Sequence, residues 1–115
     1  MPEQCLATFV RQLTNTMRKE EIISEEQKNL ARFAKAMGHP IRMYVLDLLS
    51  KQSCCYSGDL TEVLPIAKST LSQHLKELKD AGLIKGEIEA PKIKYCLDQE
   101  NWEQAQTLFK KFLNV

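Results

Sequence analysis

The chain has 115 residues, 43% of them hydrophobic, and a net charge of only +1. That length suits one small domain with room for an appended helix. There is no run of about 18 apolar residues to span a membrane, and Met1 to Val10 lacks a charged leader followed by an apolar run, so a cytoplasmic protein is expected. Bulk charge does not argue for a polyanionic partner, so any nucleic-acid binding must rest on local placement of lysines.

Leu6, Phe9, Val10, Leu13 and Met17 recur at helical spacing, which predicts an amphipathic N-terminal helix over about 3–20. Ser24 with Gln27 reads as a capping box. It opens a helix through Leu30, Phe33, Ala34 and Met37 that ends at Gly38. His39-Pro40 starts the next helix, since proline is tolerated in a helix's first turn, with His39 helping to cap it. Ile41, Tyr44, Val45, Leu48 and Leu49 give this scaffold helix its buried face. Ser53 to Ser57 (SCCYS) reads as a short strand, and Gly58 to Leu64 as a short helix stopped by Pro65.

The stretch from Ala67 to Gly82 carries the most information. Leu71, Leu75 and Leu78 share one helical face. The opposite face shows Lys68, Thr70, Gln73 and Lys76, flanked by Ser69, Ser72 and His74, all short or flexible and rich in donors. Gly82 sits at a left-handed C-cap, followed by Leu83 as its hydrophobic contact. A short helix, a tight turn and a donor-rich amphipathic helix make a helix-turn-helix, whose second helix enters the major groove of DNA. Leu83 to Ala90 and Lys92 to Leu97 follow as a hairpin, with Ile84/Ile88 and Ile93/Tyr95/Leu97 alternating inward. Lys92 and Lys94 face the other way, where a wing meets phosphate. Gln73 is the candidate base reader, because a glutamine amide grips adenine bidentately.

Asp98 caps a last helix from Gln99 to about Leu113, with Trp102, Ala105, Leu108, Phe109 and Phe112 as its apolar stripe. The expected fold is mainly α with a small antiparallel β-wing. Residues 1–22 and 98–115 supply dimerisation helices around a winged helix-turn-helix at 23–97. The expected dimer contacts are Leu6, Phe9, Leu13, Trp102, Leu108, Phe109 and Phe112. No phosphate loop, nucleophile–base pair or paired carboxylate points to an enzyme. A winged helix used for protein contact is the rival to DNA binding.

The motifs AMGHPIR (Ala36 to Arg42), Gly58-Asp59-Leu60, STLSQHLKEL (Ser69 to Leu78), Ala81-Gly82-Leu83-Ile84 and Lys94-Tyr95-Cys96-Leu97 resemble those of the ArsR-type (ArsR/SmtB) winged-helix repressors, over about 30–97. The resemblance implies a dimer on a double-stranded DNA operator, released by an inducer that is often a metal or metalloid. Two departures matter. Ala67 stands where the family usually has serine, removing an N-cap side chain worth about 1 kcal/mol. The Cys-x-Cys pair of arsenic and cadmium sensors aligns with Tyr56 and Gly58, and the last helix has no histidine for the zinc and nickel type of site.

The thiols lie instead at Cys54, Cys55 and Cys96, with Cys5 a candidate fourth participant. Four cysteines without a CxxC motif in a non-secreted chain point to thiol chemistry rather than a disulfide framework. In a winged helix the strand after the scaffold helix pairs with the second wing strand, so Cys96 would stand near Cys54 or Cys55. A regular strand offers Cys96 only one of the two. Thiolates select soft ions, and trivalent arsenic or antimony on Cys54, Cys55 and Cys96 is the expected inducer, with no obligatory cofactor. The alternatives are a reversible Cys55–Cys96 disulfide that senses oxidants, and four merely structural cysteines.

Overall fold

The computed structural model describes residues 22–52, 55–88 and 93–115. The expected N-terminal helix, with Leu6, Phe9 and Leu13, lies outside them, as do Cys5, Cys54 and Lys92. Within the described residues, four helices and a three-stranded antiparallel sheet form a winged helix-turn-helix.

Helix α1 (Glu25–Met37) begins at the capping box: Gln27 N donates to Ser24 Oγ, and Ser24 N donates back to Gln27 Oε1. Its buried residues are Phe33 and Ala36; Ala34, expected inside, is exposed. One residue separates the two alanines, and only Ala36 lies a turn from Phe33. Helix α2 (Pro40–Lys51) follows at once. His39 is its N-cap, with Nδ1 accepting from Ile41 N at 3.1 Å. Val45, Leu46 and Leu49 are buried, whereas Tyr44, placed on the inner face by its apolar character, is 43% exposed. Ile41 to Leu49 is apolar on several sides, so periodicity alone did not separate Tyr44 from Leu46.

Strand β1 is only Tyr56–Ser57, with Cys55 immediately before it. The expected helix over 58–64 is a single 3₁₀ turn, Leu60–Glu62. Asp59 starts it, its Oδ1 accepting from Thr61 N (2.9 Å) and the Thr61 hydroxyl (2.6 Å). Pro65 ends any chance of continuing it. Helix α3 (Lys68–Asp80) buries Leu71, Leu75 and Leu78, and its N-cap, Ala67, makes no side-chain cap bond. At its end Leu83 N donates to Leu78 O and Gly82 sits at φ +84°, a left-handed closure.

Strands β2 (Ile84–Glu87) and β3 (Lys94–Leu97) form the wing's base, in the order β1-β3-β2. The register pairs Ile84 with Leu97 and Glu87 with Lys94 across β2–β3, and Tyr56 with Tyr95 and Ser57 with Lys94 across β1–β3. Helix α4 (Gln99–Leu113) is capped by Asp98 and contributes Ala105 and Leu108 to the same core as Phe33, Leu78, Leu83 and Tyr95. Leu108, expected at a dimer surface, therefore packs inside its own subunit. Asn101 Nδ2 donates to Gly82 O at 2.8 Å and ties α4 to the end of α3.

Tyr95 is fully buried, its ring 5.5 Å from that of Tyr56, and its hydroxyl has no hydrogen-bond partner among the described residues. A buried polar group without a partner carries a desolvation cost and no return. Tyr95→Phe keeps the ring contacts and is expected to leave stability unchanged or raise it by up to about 1 kcal/mol. Thermal unfolding reads this; a loss of that size would show that the hydroxyl is bonded in solution.

Candidate DNA-binding surface and thiol pair

Helix α3 turns one face to the core and the other outward. Lys68, Ser69, Thr70, Gln73 and Lys76 are exposed, as the amphipathic pattern requires. Ser72 and His74 are half-buried. Ser72 lines a cavity of about 130 Å³ between α3 and the wing, together with Leu71, Leu75 and Tyr95. Lys68 pairs with Asp59 at 3.4 Å, which orients the first lysine of the helix against the turn before it. The Asp59 carboxyl is held below its usual range, first by the bonds from Thr61 and then by Lys68. At the other end of α3, Lys79 Nζ donates to Gly86 O at 2.7 Å, joining the helix to β2. Lys94 is exposed on β3.

His74 differs from a solvated side chain. Its Nδ1 accepts from Arg42 Nε at 3.1 Å, and its ring lies 4.2 Å from that of His39. Arg42 was legible only as part of the AMGHPIR motif. What could have singled it out is that two histidines converge beside it. Burial, then His39, then Arg42 hold the His74 pKa below 6.5, against an opposing contribution from Glu77. The fold therefore favours the neutral ring. As pH falls through 6.5 the unfolded chain takes up the proton first, so stability is lost from there downward until the folded protein is protonated too. Thermal midpoints are expected to fall between about pH 7.5 and about pH 5.5, and to fall less in His74→Gln.

Cys55 and Cys96 are joined, with Cα atoms 4.3 Å apart and a separation of 41 positions in sequence. The register explains this. Tyr56 opposes Tyr95 in an antiparallel ladder, so the residues one step outward, Cys55 and Cys96, stand directly opposite. The register therefore sets Cys55 against Cys96. The pair sits where the chain enters β1, two residues along β3 from Lys94. Among the described residues no three His, Cys, Asp or Glu side chains converge as a metal site would require. Also among them, no helix is long and apolar enough to cross a membrane.

A reading helix after a tight turn, a wing with an outward lysine and a donor-rich face define a winged helix-turn-helix regulator of the DNA-binding class. Residues 39–85 match the family model described as bacterial regulatory protein, arsR family. The chain is 37% identical over 70 residues to the HTH-type transcriptional regulator YgaV of Escherichia coli (strain K12), covering 61% of this chain and 71% of that one. It is 36% identical over 73 residues to the arsenical resistance operon repressor of Staphylococcus xylosus, 64% and 69% of the two chains. It is 26% identical over 102 residues to a cadmium resistance transcriptional regulatory protein CadC homolog of Staphylococcus aureus, 89% and 84%. The chain belongs to the arsR family of bacterial transcription regulators.

Proposed function

We propose that this protein is a cytoplasmic, homodimeric repressor that leaves its operator when a thiophilic inducer engages Cys55 and Cys96. The observation that carries the reading is the apposition of these two sulfurs across β1 and β3. Two thiolates held side by side bind soft ions, and one of them lies on β3, the strand that carries Lys94 toward the wing. Trivalent arsenic or antimony is the favoured inducer, in keeping with the name of the arsenical resistance operon repressor of Staphylococcus xylosus. Cys54 is proposed as the third sulfur, with Cys5 as an alternative donor.

The sulfur–sulfur bond favours a second reading on the same atoms. Hydrogen peroxide would take two electrons and two protons from the dithiol, closing the disulfide and itself becoming two molecules of water. DNA contacts are proposed for Lys68, Ser69, Thr70, Ser72, Gln73, His74 and Lys76, with Lys92 and Lys94 on phosphate. Phe112 (68% exposed) and Leu113 (58%) extend an apolar surface beyond the subunit's own core, supporting a dimer through α4. Trp102 and Phe109 would join them there, with Leu6, Phe9 and Leu13 from the N-terminal segment.

The test is fluorescence anisotropy on the DNA upstream of the protein's own gene. Release by trivalent arsenic in reducing buffer supports the metalloid reading, and release by peroxide alone supports the redox one. Binding that neither reagent disturbs would overturn the thiol proposal. Absence of binding at any salt concentration would favour a protein-contact role.

A further inference from the structure

We propose that Arg42 is a positioning residue for DNA binding: it fixes His74 in the tautomer protonated on Nε2, so that the recognition helix presents an N–H donor to a DNA phosphate oxygen. The inference rests on α3 contacting DNA, as proposed above, and adds which atom of His74 does so and what holds it there.

A guanidinium only donates. Because Arg42 Nε donates to His74 Nδ1 at 3.1 Å, that nitrogen must carry a lone pair, and the neutral ring's proton must sit on Nε2. The guanidinium is itself held. A second donation, from Arg42 Nη1 to Ala36 O at 3.3 Å, anchors it to the last turn of α1, where a carbonyl lacks a helical partner. One side chain on α2 thus links the end of α1 to the middle of α3. His39 is fixed in the same way, its Nδ1 accepting from Ile41 N, and its ring flanks that of His74. A protonated His74 would turn an N–H toward Arg42 and lose this bond. It would also place a third potential cation beside Arg42 and His39, with Glu77 on its own helix the opposing charge.

The choice of phosphate follows from position. Gln73 is exposed and free to enter the groove, whereas His74 is half-buried at the flank of α3, against the N-terminal end of α2. A donor held at the edge of a reading helix meets the sugar–phosphate backbone, which sets register without reading sequence.

The test has a readout that needs no DNA. Long-range proton–nitrogen correlation on histidine-labelled protein is expected to show His74 with Nδ1 unprotonated and Nε2 protonated. In Arg42→Met it should show an exchange-averaged pair. Anisotropy on operator and random duplexes then separates the variants. In His74→Gln the amide nitrogen reaches the place of Nε2, and affinity is expected to stay within about twofold. In His74→Asn the amide nitrogen lies at the place of Nδ1, facing the Arg42 donors. It is expected to lose about tenfold on both duplexes, the value of one hydrogen bond to a charged group. A protonated Nδ1 in the wild type, equal behaviour of the Gln and Asn variants, or a loss confined to the operator would overturn the proposal. These wild-type and His74 measurements stand even if Arg42→Met fails to fold. Failure of the wild type to bind either duplex would instead overturn the DNA-binding reading beneath it.

Discussion

Replacing Gly86 by alanine is expected to destabilise the protein by roughly 3 kcal/mol or more. For a domain of this size that lowers the thermal midpoint by on the order of 15 °C. Gly86 sits in β2 directly opposite Tyr95, at φ +119°. A side chain at that φ is strained wherever it points. Here it also has nowhere to go: a Cβ would run into Lys94 O and stand 2.9 Å from Tyr95 Cα, both of them backbone. A flexible side chain could swing aside, but a paired strand cannot. The sheet must open, and with it the bond that Lys79 makes to Gly86 O. Gly38→Ala is the natural control. Its φ is −77° and its nearest neighbours would be 3.4 and 3.6 Å away, so it should unfold within a few degrees of the wild type. Equal midpoints for the two variants would show that the wing contributes nothing to the cooperative unit.

The parts of this fold visible in the sequence are those written in local chemistry. Ser24 with Gln27, His39 with Pro40, and Asp98 each announce a helix start, because a cap needs only a side chain and its own next turn. Gly82 announces a helix end for the same reason. The leucine stripe of α3 gave its inner face, since a helix that is polar elsewhere leaves no choice of side. The scaffold helix was harder. Its apolar residues surround it, and whether Tyr44 or Leu46 turned inward depended on where α1, α3 and the sheet would lie. Where a short helix over 58–64 is expected, the chain makes a 3₁₀ turn at Leu60–Glu62, because a single turn between Asp59 and Pro65 is all it accommodates. The Arg42–His74 contact joins residues 32 apart, and no local pattern marks it. The nearness of Cys96 to one of the adjacent cysteines follows from the strand pairing of a winged helix, and period-2 alternation limits it to one of them. The register of Tyr56 on Tyr95 sets Cys55 there, the partner that the disulfide alternative names.

Cys96→Ser is expected to abolish the response to oxidant and to weaken the response to trivalent arsenic while operator binding persists, the largest functional change of any single substitution here. Cys96 is half-buried on β3, and its neighbour across β2 is the exposed Lys85, so serine is accommodated without a polar atom entering the core. The variant should therefore fold and bind DNA, losing at most the few kcal/mol a cross-link contributes when oxidised. Its value lies in separating the two thiol readings. A disulfide needs both partners, so Cys96→Ser and Cys55→Ser must be equally blind to oxidant. A metalloid held by three sulfurs retains two donors after either change, so its release should weaken in stages, with the double variant least responsive. Anisotropy titrations of the two single variants and the double variant, with trivalent arsenic in reducing buffer and with peroxide, resolve these patterns. If Cys96→Ser responds to both reagents as the wild type does, the apposed pair is structural and the sensor lies elsewhere. The sheet position makes that outcome informative too. A bond at this junction would then serve to hold β1 on β3, and its loss would be read as a fall in thermal stability under oxidising conditions with no change in operator affinity.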